Sequence, residues 1–183
     1  YDLWEEKFLT HTYTVATVIG ALRRAADFAT LLEYPDEASK WAKTANGIEN
    51  SIKPLFDAKR QSYRKGFLLN DSKELELDNT IDTSSLYGMM MFTNIQLDNT
   101  AIRQTAKAVE DRLYNRNIGG VIRYEEDWYM RQNAETLPNP WHITTLWLSQ
   151  YYMHIKEYDA SKDLIAWVID HMFESGALSE QIN

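Results

Sequence analysis

Cysteine is absent from all 183 residues. That excludes disulfides and thiolate metal sites and leaves the redox compartment open, with a cytoplasmic setting as the working expectation. Histidine is scarce, four in all, and no HxxxH or HExxH pairs two of them, which argues against a histidine zinc centre. No apolar run is long enough to span a bilayer, so no membrane partner is expected. No basic run is present either. With a net charge of −8, a nucleic-acid backbone is disfavoured as a partner. Neither a cation cage nor a phosphate-binding glycine loop occurs, so no cofactor and no metal are expected. No fixed repeat period is visible, which disfavours a solenoid. The chain also lacks an initiating Met and a targeting pattern. It begins Tyr1-Asp2-Leu3-Trp4 and ends just past a turn, and the expectation is a piece of a longer protein.

What is present is helical patterning. Residues 12–33 are apolar on nearly all sides, as in a buried helix. Pro35, Asp36 and Glu37 open a second helix, whose Ala38, Trp41, Ala45, Ile48, Ile52 and Leu55 form one stripe. Residues 57–81 are a long polar connection in which SYRKGFLL suits a short strand. Asp82 is an expected N-cap for a third helix, SSLYGMMMF, apolar all round. The Met run there reads as core filler. A fourth helix, 100–114, places Ile102, Ala106, Val109 and Leu113 on one face. A fifth, 140–157, is apolar on most sides, with Asn139 as cap and Pro140 at its first position. Asp159 caps a sixth, 160–174, and Gly176 marks its stop.

Two alternations coincide. Helices run buried then amphipathic, three times over, and connections are short after buried helices and long after amphipathic ones. Antiparallel hairpins explain both. The lead-in 1–11, the loops 57–81 and 115–139 and the tail from 176 then share one end. This predicts an all-α fold, six of the twelve helices of an (α/α)6 toroid.

The stretch 119–147, GGVIRYEEDWYMRQNAETLPNPWHITTLW, dominates that end. It gathers Arg123, Glu125, Glu126, Asp127 and several aromatics. Glu5 and Glu6 approach from the lead-in and Glu180 from the tail. Glycoside hydrolysis needs two carboxyls flanking the bond, one giving a proton to the leaving oxygen and one activating water or attacking directly. Trp4, Trp128, Tyr129 and Trp141 suit stacking on sugar faces, and Arg123 suits sugar hydroxyls. Glu125 and Glu126 read as solvent-facing; His11 and His142 read as structural.

Three motifs resemble glycoside hydrolase family 15, the glucoamylase family. YDLWEE at 1–6 followed by HTYT looks like its general-acid segment. GGVIRYEEDWY at 119–129 with NPWHITTLWLSQYY at 139–152 is similar to its substrate-binding loop and following helix. GALSEQ at 176–181 is similar to its general-base segment. Beside the family pattern, a Gly common after WEE is replaced by the KFLT region with Leu9, and the loop 130–138 is longer than in compact members.

The resemblance implies the C-terminal half of an (α/α)6 catalytic domain across residues 1–183. It implies Glu5 as general acid, Glu180 as general base, and Glu6 on the leaving-group side of the substrate. Arg123, Asp127 and Tyr129 would bind around the cleavage point, Leu3 and Trp4 would contribute backbone contacts, and Trp141 a wall. The implied reaction is release of glucose from non-reducing ends of α-glucans with inversion, with the two carboxyls roughly 6.5–9.5 Å apart. The missing N-terminal half of the barrel would complete the site, so the chain alone is expected to be inactive and to self-associate through its open flanks. The alternative is a noncatalytic helical carbohydrate-binding or regulatory domain like that of phosphorylase kinase regulatory subunits.

Overall fold

The computed structural model describes residues 1–183. Three antiparallel helix pairs carry the chain: α1 (Thr12–Leu31) with α2 (Pro35–Asn50), α3 (Thr83–Phe92) with α4 (Thr100–Leu113), and α5 (His142–His154) with α6 (Tyr158–Asp170). Helix α3 packs on both α1 and α5. The first helices of the three pairs thus form an inner layer, with α2, α4 and α6 outside.

Local chemistry explains most boundaries. Pro35 occupies the first turn of α2 with Asp36 and Glu37 beside it, where a missing N–H is harmless and negative charge meets the positive helix end. The Asp82 carboxylate accepts from the Ser84 N–H at 2.8 Å, and Asn99 Oδ1 accepts from the Ala101 N–H at 2.9 Å; both are N-caps. The stripe of α4 is fully inside, with Ile102, Val109 and Leu113 at 0% exposure. Each such side chain stabilises the fold by roughly 1.5–3 kcal/mol. They join Ala16, Ile19, Leu86, Met89 and Leu148 in one core.

Three boundaries depart from expectation. Helix α5 starts at His142 with Trp141 as its unassisted cap; Asn139 lies two residues before that cap, and its side-chain N–H donates to the Met130 carbonyl and the Gln181 side chain instead. Glu157, not Asp159, is the cap of α6, and Asp159 sits in its first turn. That helix ends at Asp170, so Gly176, with φ +85°, serves a later turn. Helix α1 is also less enclosed than its pattern suggested. Val18, Phe28 and Leu31 are exposed, since α1 borders the open side of the layer.

The connections carry strands that helical patterning did not show. Strand β1 (Thr10–His11) pairs antiparallel with β4 (Gly66–Leu69), and β4 with β5 (Leu75–Asp78). A separate hairpin joins β2 (Phe56–Asp57) to β3 (Ser62–Tyr63). Single antiparallel bridges then link Asp82 to Tyr124, Tyr114 to Val121, Val121 to Trp141, and Trp141 to Gln181. Lead-in, both long loops and tail are therefore stitched together at one end.

Gly66 sits where the first stitch is tightest. A Cβ there would lie 2.5 Å from the Thr10 carbonyl oxygen, and backbone cannot yield as a side chain can. Gly66→Ala is expected to destabilise by about 1–3 kcal/mol, measurable by urea denaturation. An unchanged midpoint would show that β1 is not held against β4.

Candidate active site

The stitched end encloses a cavity of about 950 Å³. Leu3, Trp4 and Glu5 line it from the lead-in, Arg123, Tyr129 and Trp141 from the central loop, and Glu180 from the tail. Seven of the residues expected at the site are thereby brought to one concavity. Glu6 and Asp127 do not line it; both lie against Arg123.

Glu5 holds a left-handed backbone, φ 61°, which a non-glycine residue adopts only when its surroundings impose it. Those surroundings are visible. Asp2 Oδ1 accepts from the Glu6 N–H at 2.8 Å, and the Asp2 N–H donates to the Lys7 carbonyl at 2.9 Å. Asp2 is itself held by Lys65, whose Nζ lies 3.1 Å from Asp2 Oδ2 and 3.1 Å from Asp82 Oδ2. All three side chains are at most 4% exposed. The Trp4 indole N–H donates to the same Asp82 carboxylate, and the Lys65 ammonium sits over the Tyr124 ring. One buried cation thus fixes the residues on both sides of Glu5. Burial alone would raise the Asp2 carboxyl, but the Glu6 N–H and the Lys65 charge outweigh it and hold it below the usual value. Burial would lower Lys65, but Asp82 and Asp2 keep it above the ordinary lysine range.

Arg123 is the second buried cation. Its Nε donates to Asp127 Oδ2 at 2.7 Å, and Nη2 donates to Asp127 Oδ1 at 2.7 Å and to Glu6 Oε1 at 2.8 Å. Tyr124 Oη donates to the other Glu6 oxygen. The guanidinium lies among the rings of Trp141, Tyr129, Tyr124 and Trp4, 4.6 to 5.3 Å from their centres. Burial would lower its pKa, yet the fork of Asp127 and then Glu6 keep it well above the ordinary value. Three of its five donors are engaged by these carboxylates, which leaves the two on Nη1.

Aromatic walls complete the concavity. Tyr87 stacks on Trp147 at 4.4 Å, and Trp4 meets Trp147 and Trp141 at 5.8 Å each. The Trp141 indole N–H is buried with no protein partner. Trp128 stands apart: it is exposed, with the Arg131 guanidinium over its ring. The tail is anchored by the Ile182 N–H on the Pro140 carbonyl at 3.0 Å and by Ser179 Oγ near His142 Nε2 at 3.4 Å. His142 lines the cavity. Its pKa is lowered by burial and then by His171.

Glu125 is not solvent-facing. Both its oxygens accept from Arg60, and one also accepts from the Ile81 N–H at 3.0 Å. Lys65 carried no signal in the sequence, and Asp82 read only as a cap. The link between them depends on chain segments that approach one another only in the fold.

A family model described as Glycosyl hydrolases family 15 matches residues 1–175. The chain belongs to this family. An uncharacterized glycosyl hydrolase of Methanocaldococcus jannaschii is 32% identical over 100% of this chain and 30% of its own length. Trehalase 2 of Sulfolobus acidocaldarius is 24% identical over 100% of this chain and 29% of its own. The family-15 chain thus spans about a third of the length of these curated relatives. A bacterial glucoamylase complexed with acarbose superposes with a TM-score of 0.79 at 19% identity, covering 98% of this chain and 30% of its own. That likeness places the three helix pairs as part of an (α/α)6 barrel.

Proposed function

We propose that this segment supplies the general acid and the general base of an inverting glycosidase releasing glucose from non-reducing ends of α-glucans. Supporting it above all, Glu5 and Glu180, at opposite ends of the chain, line one aromatic cavity together with Arg123. In this reading Glu5 gives its proton to the glycosidic oxygen as the C1–O bond breaks. Glu180 takes a proton from the water that attacks C1 from the opposite face, and the anomeric configuration inverts. Arg123, held rigid by Asp127 and Glu6, offers its two remaining N–H donors to sugar hydroxyls. The stacked rings contact sugar faces. Asp127 and Glu6 act here through Arg123, which they fix.

The exposed flank of α1 and Ile143 on α5 are the faces that the other helices of the toroid would cover. Residues 1–183 alone are accordingly inactive in this reading. The test is proton NMR of the full-length protein acting on maltotriose, isomaltose and trehalose. The expected first product is β-glucose from at least one of them. With maltotriose, where the leaving sugar is maltose, an α-glucose first product would overturn the inverting assignment. Trehalose should give one β-glucose from the attacked ring and one α-glucose as the leaving sugar, and two α-glucoses would overturn it. No turnover of any of the three would overturn the hydrolase reading.

A further inference from the structure

The chain carries a net charge of −8, yet one concavity away from the candidate active site is strongly basic. It measures about 560 Å³ and lies between the β2–β3 turn and the outer face of α4. Lys59, Arg60, Arg103, Lys107 and Arg112 line it, against a single carboxylate, Asp111. Asp111 pairs with Lys107 at 3.0 Å, and Arg60 with Glu125 at 2.5 Å. Lys59, Arg103 and Arg112 have no acidic partner. A second cavity, of about 620 Å³, shares Arg60 and Arg112 with the first, but there Arg131 is balanced by Glu125 and Glu126, so the excess of positive charge is confined to the first. Like charges gathered from two separate elements repel one another, and an anion between them relieves that repulsion.

We propose that this trough binds a small molecule carrying two or more phosphate groups. Two arginines favour phosphate, whose oxygens match the planar guanidinium fork. The spacing sets the number of groups. From Arg103 to Arg112 is nine residues of helix, about 13.5 Å of rise; one phosphate cannot meet both ends. Gln61, Thr100 and Gln104 add neutral polar groups along the same walls. The position suits a permanent site. Helix α3 packs between α1 and α5, so the α3–α4 pair is the middle one of three. Its outer face stays open when the remaining helices of a toroid close on the edges.

The test is calorimetric titration of the full-length protein with inorganic phosphate, pyrophosphate, tripolyphosphate and long-chain polyphosphate at constant ionic strength. Affinity is expected to rise at least tenfold from phosphate to tripolyphosphate. It should fall at least tenfold in the double variant Arg103→Gln/Arg112→Gln, and stay unchanged in Lys40→Gln/Lys43→Gln on α2. Circular dichroism establishes that both variants fold. Three results would each overturn the proposal: no saturable heat with tripolyphosphate, equal loss in the α2 variant, or binding only to long-chain polyphosphate, which would make the trough a polymer surface. The outcome is independent of whether Glu5 and Glu180 catalyse.

Discussion

Glu180→Gln and Glu5→Gln in the full-length protein are each expected to lower kcat by about 10²–10⁴-fold, the span that positioned proton transfer contributes. Substrate affinity should change little, because amide and carboxyl have nearly the same shape and the aromatic walls are untouched. The two variants should part company on α-glucosyl fluoride. Fluoride leaves without a proton, so the Glu5 variant recovers most of its rate on it, whereas water still needs deprotonation and the Glu180 variant does not. Steady-state kinetics on maltose and the fluoride decide this. If both variants behave alike on both substrates, the acid and base roles are wrongly divided. If neither loses activity, the carboxyls doing the chemistry lie elsewhere.

Lys65→Met should be the most damaging single substitution to the fold. It strands Asp2 and Asp82, whose carboxylates are 4% and 0% exposed, with no neutralising charge. Removing one member of a buried ion cluster costs about 3–5 kcal/mol. For a domain of this size that is roughly 6–20 °C in Tm. The pH dependence carries a signature. In the native protein the Asp2 carboxyl is held below its unfolded-state value. Its contribution is therefore complete above the ordinary carboxylate range and is lost as the pH falls through the lower folded value. Lys65 is held above its unfolded value, so its contribution is complete below the ordinary lysine range and fades as base rises through the higher folded value. Without the ammonium, burial is opposed only by the N–H groups of Glu6 and Lys7, so the Asp2 carboxyl moves up from its wild-type value and acid relieves the fold. The deficit of Lys65→Met should thus be smaller at pH 4 than at pH 7 in calorimetric unfolding. A deficit that is constant with pH would mean that lost packing, not stranded charge, dominates. A milder loss in the triple variant Asp2→Asn/Lys65→Met/Asp82→Asn would support the electrostatic account.

The helices were legible because burial imposes a period. Ile102, Ala106, Val109 and Leu113 repeat at three and four residues because one face of α4 meets the core, and the structure exposes none of them beyond 2%. The pairing of helices was legible from the length of the connections. What failed were features decided by partners far along the chain. Asn139 before Pro140 has the chemistry of a cap, but Trp141 opens the helix and the Asn139 side-chain N–H tethers the loop by donating to Met130 and Gln181. Glu125 in a run of acids looks solvated, yet Arg60 from another loop holds it. Most of the candidate site was legible through motifs that match a family. Lys65 matched none, although it fixes the loop of the proposed acid, because a lysine in a polar connection gives no period and no motif. The strands β1 to β5 were missed, apart from the arm at 62–69, because two- to four-residue ladders are too short to leave an alternation.

The stitches at the end of the helix pairs have one more consequence. Within residues 1–183 Glu5 precedes the six helices and Glu180 follows them, and the bridge from Trp141 to Gln181 seats the tail on a loop that is itself seated on Tyr114. Contacts between such distant segments close late, since the chain between them must first be ordered. A folding intermediate with two helix pairs docked would have much of its core and none of the cavity shared by the two carboxyls. The appearance of the assembled site during refolding, followed by ligand binding, is therefore a clock for the last docking event, and a molecule caught halfway is chemically silent.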